Sequence, residues 1–73
     1  QSGALSYMMG RIMADKRQWS EALVYLDESI KLDSVSADSY LLLSEVQHQL
    51  GNDHQADDNY SKGIGLLQVK VEN

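Results

Sequence analysis

Residues 37–67 read ADSYLLLSEVQHQLGNDHQADDNYSKGIGLL, and the order of events in this stretch decides the fold. An apolar stripe of Tyr40, Leu43, Val46 (or Gln47) and Leu50 runs into Gly51 and Asn52, and a second stripe then follows with Ala56, Tyr60, Ile64 and Leu67. Spacings of three and four place each set on one face of a helix of period about 3.6, which strand alternation would not do. Glycine enters the left-handed conformation without steric cost, so Gly51 closes the first helix. Asn52 is then placed to cap the next helix, with Gln55 answering as a capping box.

The same unit stands once more, 34 residues earlier. Ala22 aligns with Ala56, Met9 with Leu43, Gly10 with Ser44, Ile12 with Val46, Leu26 with Tyr60, Ser29 with Gly63 and Ile30 with Ile64. Large apolar residues meet large ones and small meet small, which marks an internal repeat. Leu5, Met8, Met9 and Ile12 form one stripe of the first unit, and Trp19, Leu23, Leu26 and Ile30 form the other. At this spacing Met8, Met9, Met13 and Trp19 read as core, not as a cofactor box or an adaptable surface. The pattern predicts four helices over roughly 3–15, 19–33, 37–50 and 53–69. It gives an all-α fold of two tandem antiparallel helix-turn-helix hairpins in one domain spanning residues 1–73, with repeat one over about 3–36 and repeat two over about 37–70.

Ser36 is placed to cap the third helix, with Asp38 at the positive end of its dipole, and Lys16 and Arg17 sit at the negative end of the first. Arg17 holds the place of Gly51, so a left-handed residue there would cost about 1 kcal/mol, and the first turn is the less well specified. Gly63 is explained by close helix approach, since its mate Ser29 is also small. Gly65 has no such reason, and the turns after it are expected to fray or bend.

Composition narrows the function classes. Seventy-three residues lie near the lower limit for a single core, and without cysteine there is no disulfide, zinc-thiolate site or thiol nucleophile in this chain. Six basic against 11 acidic residues give a formal net charge of -5, which disfavours nucleic acid and anionic membrane as partners and favours basic or neutral ones. Apolar runs such as Leu41-Leu42-Leu43 are too short to span a bilayer, and no charged-then-apolar leader opens the sequence. The chain reads as soluble, with the cytoplasm the leaning.

Tyr40, Leu43-Ser44, Gly51, Ala56, Tyr60 and Gly63, with Met9-Gly10, Ala22, Leu26 and Ser29 in the first unit, resemble the tetratricopeptide repeat family over about residues 3–70. Ser6, Arg17 and Ser34 depart from its aromatic, glycine and proline positions. The resemblance implies a right-handed α-solenoid in which Ala22 and Ala56 keep the helices of each hairpin close while Leu26 and Tyr60 fill the space between units. It also implies a scaffold that binds a protein or peptide and catalyses nothing. Two repeats without a polar capping helix imply a fragment of a longer repeat protein or a self-associating module.

In such a fold the first helix of each unit lines a concave groove. The repeat register then gives a stripe of Tyr7, Arg11 and Asp15 with Asp38, Leu41, Glu45 and His48 as the candidate partner-binding groove. Tyr7 and Leu41 would anchor a segment, Leu41 with little part in fold stability, while Arg11 and Glu45 would set register against a partner carrying both signs. The alternative is self-association through the last helix, where Ile64, Leu67, Val69 and Val71 supply more apolar surface than one neighbour needs. His54 with Asp58, supported by Asp53, Asp57 and His48, is the nearest approach to a metal site, but the plainer reading is a solvated acidic helix start. No cofactor is expected, because no phosphate-cradling loop, nucleophile elbow or dinucleotide turn is present.

Overall fold

The computed structural model describes residues 2–72, and side chains over residues 2–69. Four helices follow in order, α1 (Gly3–Asp15), α2 (Trp19–Leu32), α3 (Ala37–Gln49) and α4 (Asp53–Glu72), with no strand among the described residues. α1 starts where Ser2 accepts a hydrogen bond from the Leu5 N–H at 3.2 Å, and α3 where Ser36 accepts one from the Ser39 N–H at 3.3 Å. α4 runs through Gly65 without interruption.

The two hairpin turns are built alike. After α3, the Gly51 N–H donates to the His48 carbonyl at 3.0 Å and the Asn52 N–H to the Gln47 carbonyl at 2.8 Å, with Gly51 at φ 81°. After α1, the Arg17 N–H donates to Ala14 at 2.9 Å and the Gln18 N–H to Met13 at 2.9 Å, with Arg17 at φ 60°. Both are Schellman motifs, so the first turn is as well defined as the second although arginine must adopt the left-handed conformation. The expected capping box does not form among the described residues. Gln55 would need the Asn52 N–H, and the Schellman turn has already committed that group to Gln47.

α1 packs along α2, α3 along α4, and α2 against α3, whereas α1 touches α3 only at the fringe and does not meet α4. The helices form an open row of two hairpins and not a closed four-helix bundle. Small residues permit the close approaches. Ala22 and Ala56 are fully buried. A Cβ on Gly10 would come within 2.9 Å of Leu26, and one on Gly63 within 2.7 Å of Leu41, while one on Gly65 would meet nothing within 4 Å.

Ala14, Ala22, Leu26, Leu42, Leu43 and Val46 make one core cluster, with Tyr7, Met13, Trp19, Leu23 and Ile30 packed against it. Met13 and Trp19 thus stand in the core as expected, but Met8 does not: with Leu5 and Ile12 it is exposed on α1. Tyr60 is also exposed, unlike its mate Leu26, because α3 lies over α2 and no described helix lies over the equivalent face of α4.

Buried serines stitch the units together, a feature the apolar pattern does not reveal. The Ser29 hydroxyl donates to the Gly3 carbonyl at 2.9 Å, which leaves its oxygen to accept from Ser39 at 2.7 Å. Ser39 in turn accepts from the Ser36 hydroxyl at 3.0 Å. The one-way chain from Ser36 to Gly3 joins α3, α2 and α1, and no buried side-chain polar atom among the described residues is left unpaired.

Candidate functional site

Tyr7 and Arg11 lie one turn apart on α1, and Asp38, Leu41 and Glu45 follow a three-and-four spacing on α3, so each set projects from one helix face. The structure brings all five together. They line a surface cleft of about 280 Å³, which Leu42 completes at its base. A space this small and open suits side chains of an extended segment better than an enclosed small molecule.

Arg11 has partners within its own helix. Its guanidinium donates to the Tyr7 hydroxyl at 3.3 Å and lies 3.9 Å from the Asp15 carboxylate. The Tyr7 hydrogen bond, with the charges of Asp15 and Glu45, raises the Arg11 pKa above its ordinary value. Asp38 and Glu45 form no ion pair with any described side chain. The cleft therefore offers one engaged cation and two free carboxylates around the apolar surface of Tyr7 and Leu41.

His48 falls outside this cleft. It lines an adjoining one of about 490 Å³, which shares Leu41 and Glu45 with the first and adds Ser44, Gln49, Asp57 and Tyr60. Asp57 and Tyr60 come from α4, and the sequence signal for them was available: they are the 34-residue mates of Leu23 and Leu26, which sit under α3 in the first hairpin. Leu41 also differs from expectation, because its side chain rests on Gly63 and forms part of the α3–α4 contact. Truncating it would loosen the hairpin as well as the cleft.

The acidic start of α4 does not gather a metal site. His48 Nδ1 lies 3.0 Å from Asp53 and its Nε2 lies 3.6 Å from Asp57, while His54 Nε2 lies 3.7 Å from Asp58. The two nitrogens of one imidazole point in different directions, so these carboxylates do not converge on a point, and among the described residues no group of three or more ligand types is arranged to hold an ion. The two His48 contacts tie the end of α3 to the first two turns of α4, while the His54–Asp58 contact lies within α4.

The apolar end of α4 is only partly open. Ile64 and Leu67 are half-buried, and Leu67 shares a cleft of about 440 Å³ with Val35, Leu66 and Val69; the Val71 side chain lies outside the described ones. No described helix is long and apolar enough to cross a membrane. The sequence matches no model of a known protein family, and no curated protein is significantly similar to it.

Proposed function

We propose that the chain is a pair of tetratricopeptide-type hairpins, a short segment of right-handed α-solenoid, and that it acts as a protein-interaction scaffold without catalytic activity. What carries the reading is the cleft that gathers Tyr7 and Arg11 from α1 with Asp38, Leu41 and Glu45 from α3. The matching Schellman turns and the open row of hairpins support the solenoid. A partner's extended segment lies along the cleft, its apolar side chains on Tyr7 and Leu41 and its basic groups at Asp38 and Glu45.

The test is selection of peptides from a random library, followed by chemical-shift mapping on the labelled chain. Shifts are expected at Tyr7, Arg11, Asp38 and Glu45, and Arg11→Glu should change which sequences are selected. A footprint on the outer face of α2, around Glu28 and Lys31, removes the groove assignment. A second reading, self-association through the terminal helices, is favoured by the exposed apolar face of α1.

A further inference from the structure

We infer that copies of the chain assemble head to tail, α1 of one copy docking on the α3–α4 hairpin of the next as α3 docks on the α1–α2 hairpin within each copy. The inference rests on the self-association reading and specifies its geometry. Leu5, Met8 and Ile12 are 52%, 58% and 44% exposed. The residues 34 places on, Ser39, Leu42 and Val46, are 0%, 7% and 0% exposed. The two faces have the same register and similar apolar character. They differ in that α2 packs over α3 and no described helix packs over this face of α1.

The opposing half of the joint is open as well. The cleft of about 490 Å³ is lined in part by Ser44, His48, Asp57 and Tyr60, the 34-residue mates of Gly10, Ala14, Leu23 and Leu26. In the first hairpin Gly10, Ala14 and Leu26 are buried, and Ala14 and Leu26 belong to the same cluster as Leu42 and Val46 of α3. The seat that α3 fills on one hairpin is therefore uncovered by any described helix on the other, and Tyr60 is 55% exposed where Leu26 is 0%. Its occupant must be a helix with an α3-like apolar stripe, and α1 carries that stripe in the same register.

Charge favours the same partner. α2 and α3 run antiparallel, their near ends tied by Ser29 and Ser39 at 2.7 Å. In that register an equivalent joint between copies brings Lys16, one turn beyond Ile12, level with Asn52 and Asp53 at the start of α4, the mates of Gln18 and Trp19. Lysine would thus meet a carboxylate at the rim of an apolar contact, an arrangement that steers register. The seat is more polar than its internal counterpart, so the joint is a reversible one. Because the two faces differ, the contact is heterologous and open-ended, and it does not close as a symmetric dimer.

Sedimentation analysis of the wild-type chain and two blocked variants tests this. Wild type is expected to gain mass steadily between about 10 µM and about 1 mM, the range in which small interfaces associate. Met8→Asp blocks the α1 face and Tyr60→Asp the seat, and each should weaken association by about tenfold or more. Both sites are exposed, so the fold should persist by circular dichroism; Asp57→Lys is the second seat variant should Tyr60→Asp not fold. Mixed in equal amounts, the two blocked chains should form a heterodimer that grows no further, since one retains its seat and the other its α1 face. A wild type that stays monomeric removes self-association altogether. A dimer of fixed size, or no heterodimer on mixing, leaves self-association standing and overturns the head-to-tail joint.

Discussion

Arg17→Gly should stabilise the chain, against the usual expectation that replacing a side chain with hydrogen weakens a fold. Arg17 holds the left-handed position of a Schellman turn at φ 60°, where Gly51 holds the equivalent position at φ 81° in the second hairpin. A non-glycine residue there costs about 1–2 kcal/mol. Two terms oppose its removal: glycine gains about 0.4–1 kcal/mol of freedom in the unfolded chain, and a cation at the end of α1 contributes roughly 0.3 kcal/mol through the helix dipole. The Arg17 side chain makes no hydrogen bond or ion pair among the described residues, so nothing else is lost. The net gain is about 0.5 kcal/mol, which for a domain of 73 residues corresponds to roughly 3 °C in melting temperature. Arg17→Ala isolates the cause, because it removes the charge and retains the strain. Urea and thermal melts followed by far-ultraviolet circular dichroism should rank Arg17→Gly above wild type and wild type above Arg17→Ala. If Arg17→Gly is no more stable than Arg17→Ala, the left-handed assignment of the first turn is refuted.

Glycines two residues apart in α4 should respond oppositely: Gly65→Ala should gain about 1 kcal/mol from helix propensity, whereas Gly63→Ala should lose roughly 1 kcal/mol net by pressing on Leu41, both read from denaturant midpoints. Ser29→Ala should cost about 1–3 kcal/mol, because it deprives the buried Ser39 hydroxyl of its acceptor and the Gly3 carbonyl of its donor. Glu45→Lys should leave the melting temperature within error yet change the peptides selected by the cleft, and unchanged selection would count against the groove. Added zinc should not raise the melting temperature, and a rise abolished by His54→Ala would show a site that the geometry does not.

Helix number, order and bounds were legible, apart from the end of α4, which runs past Gly65 to Glu72, because they depend on local chemistry: three-and-four spacing, Ser36 as a cap, Gly51 as a stop. Gly63 was legible through its repeat mate, since two small residues in register imply a close approach. Which apolar residue is covered was not, because coverage depends on a neighbour and not on the residue itself. Met8 and Leu42, or Tyr60 and Leu26, share a register and differ only in whether another helix lies across them. His48, which lines the second cleft with Leu41 and Glu45 but not the first, was legible only in part for a related reason. Helical spacing put it on the stripe of Leu41 and Glu45, but the partners of its ring come from α4, which the stripe alone does not report. The serine chain escaped notice because a buried hydroxyl looks like a surface one until its acceptors are known.

The cleft and the open seat share Leu41 and Glu45, and this couples the two proposals. Within one copy, α3 supplies the far wall of the cleft while Tyr7 and Arg11 supply the near wall. A docked α1 from a second copy would stand to Leu41 and Glu45 as α3 stands to Tyr7 and Arg11, because each pair is 34 residues from the other. The new joint would then carry a cleft of its own, walled by Leu41 and Glu45 on one side and by the incoming Tyr7 and Arg11 on the other. Glu45 would again face Arg11, now between copies, so the alternation of charge along the groove would continue across the joint. A segment long enough to span two such clefts binds the assembled state more tightly than the separate chains, and by linkage it must favour assembly to the extent that assembly favours its binding.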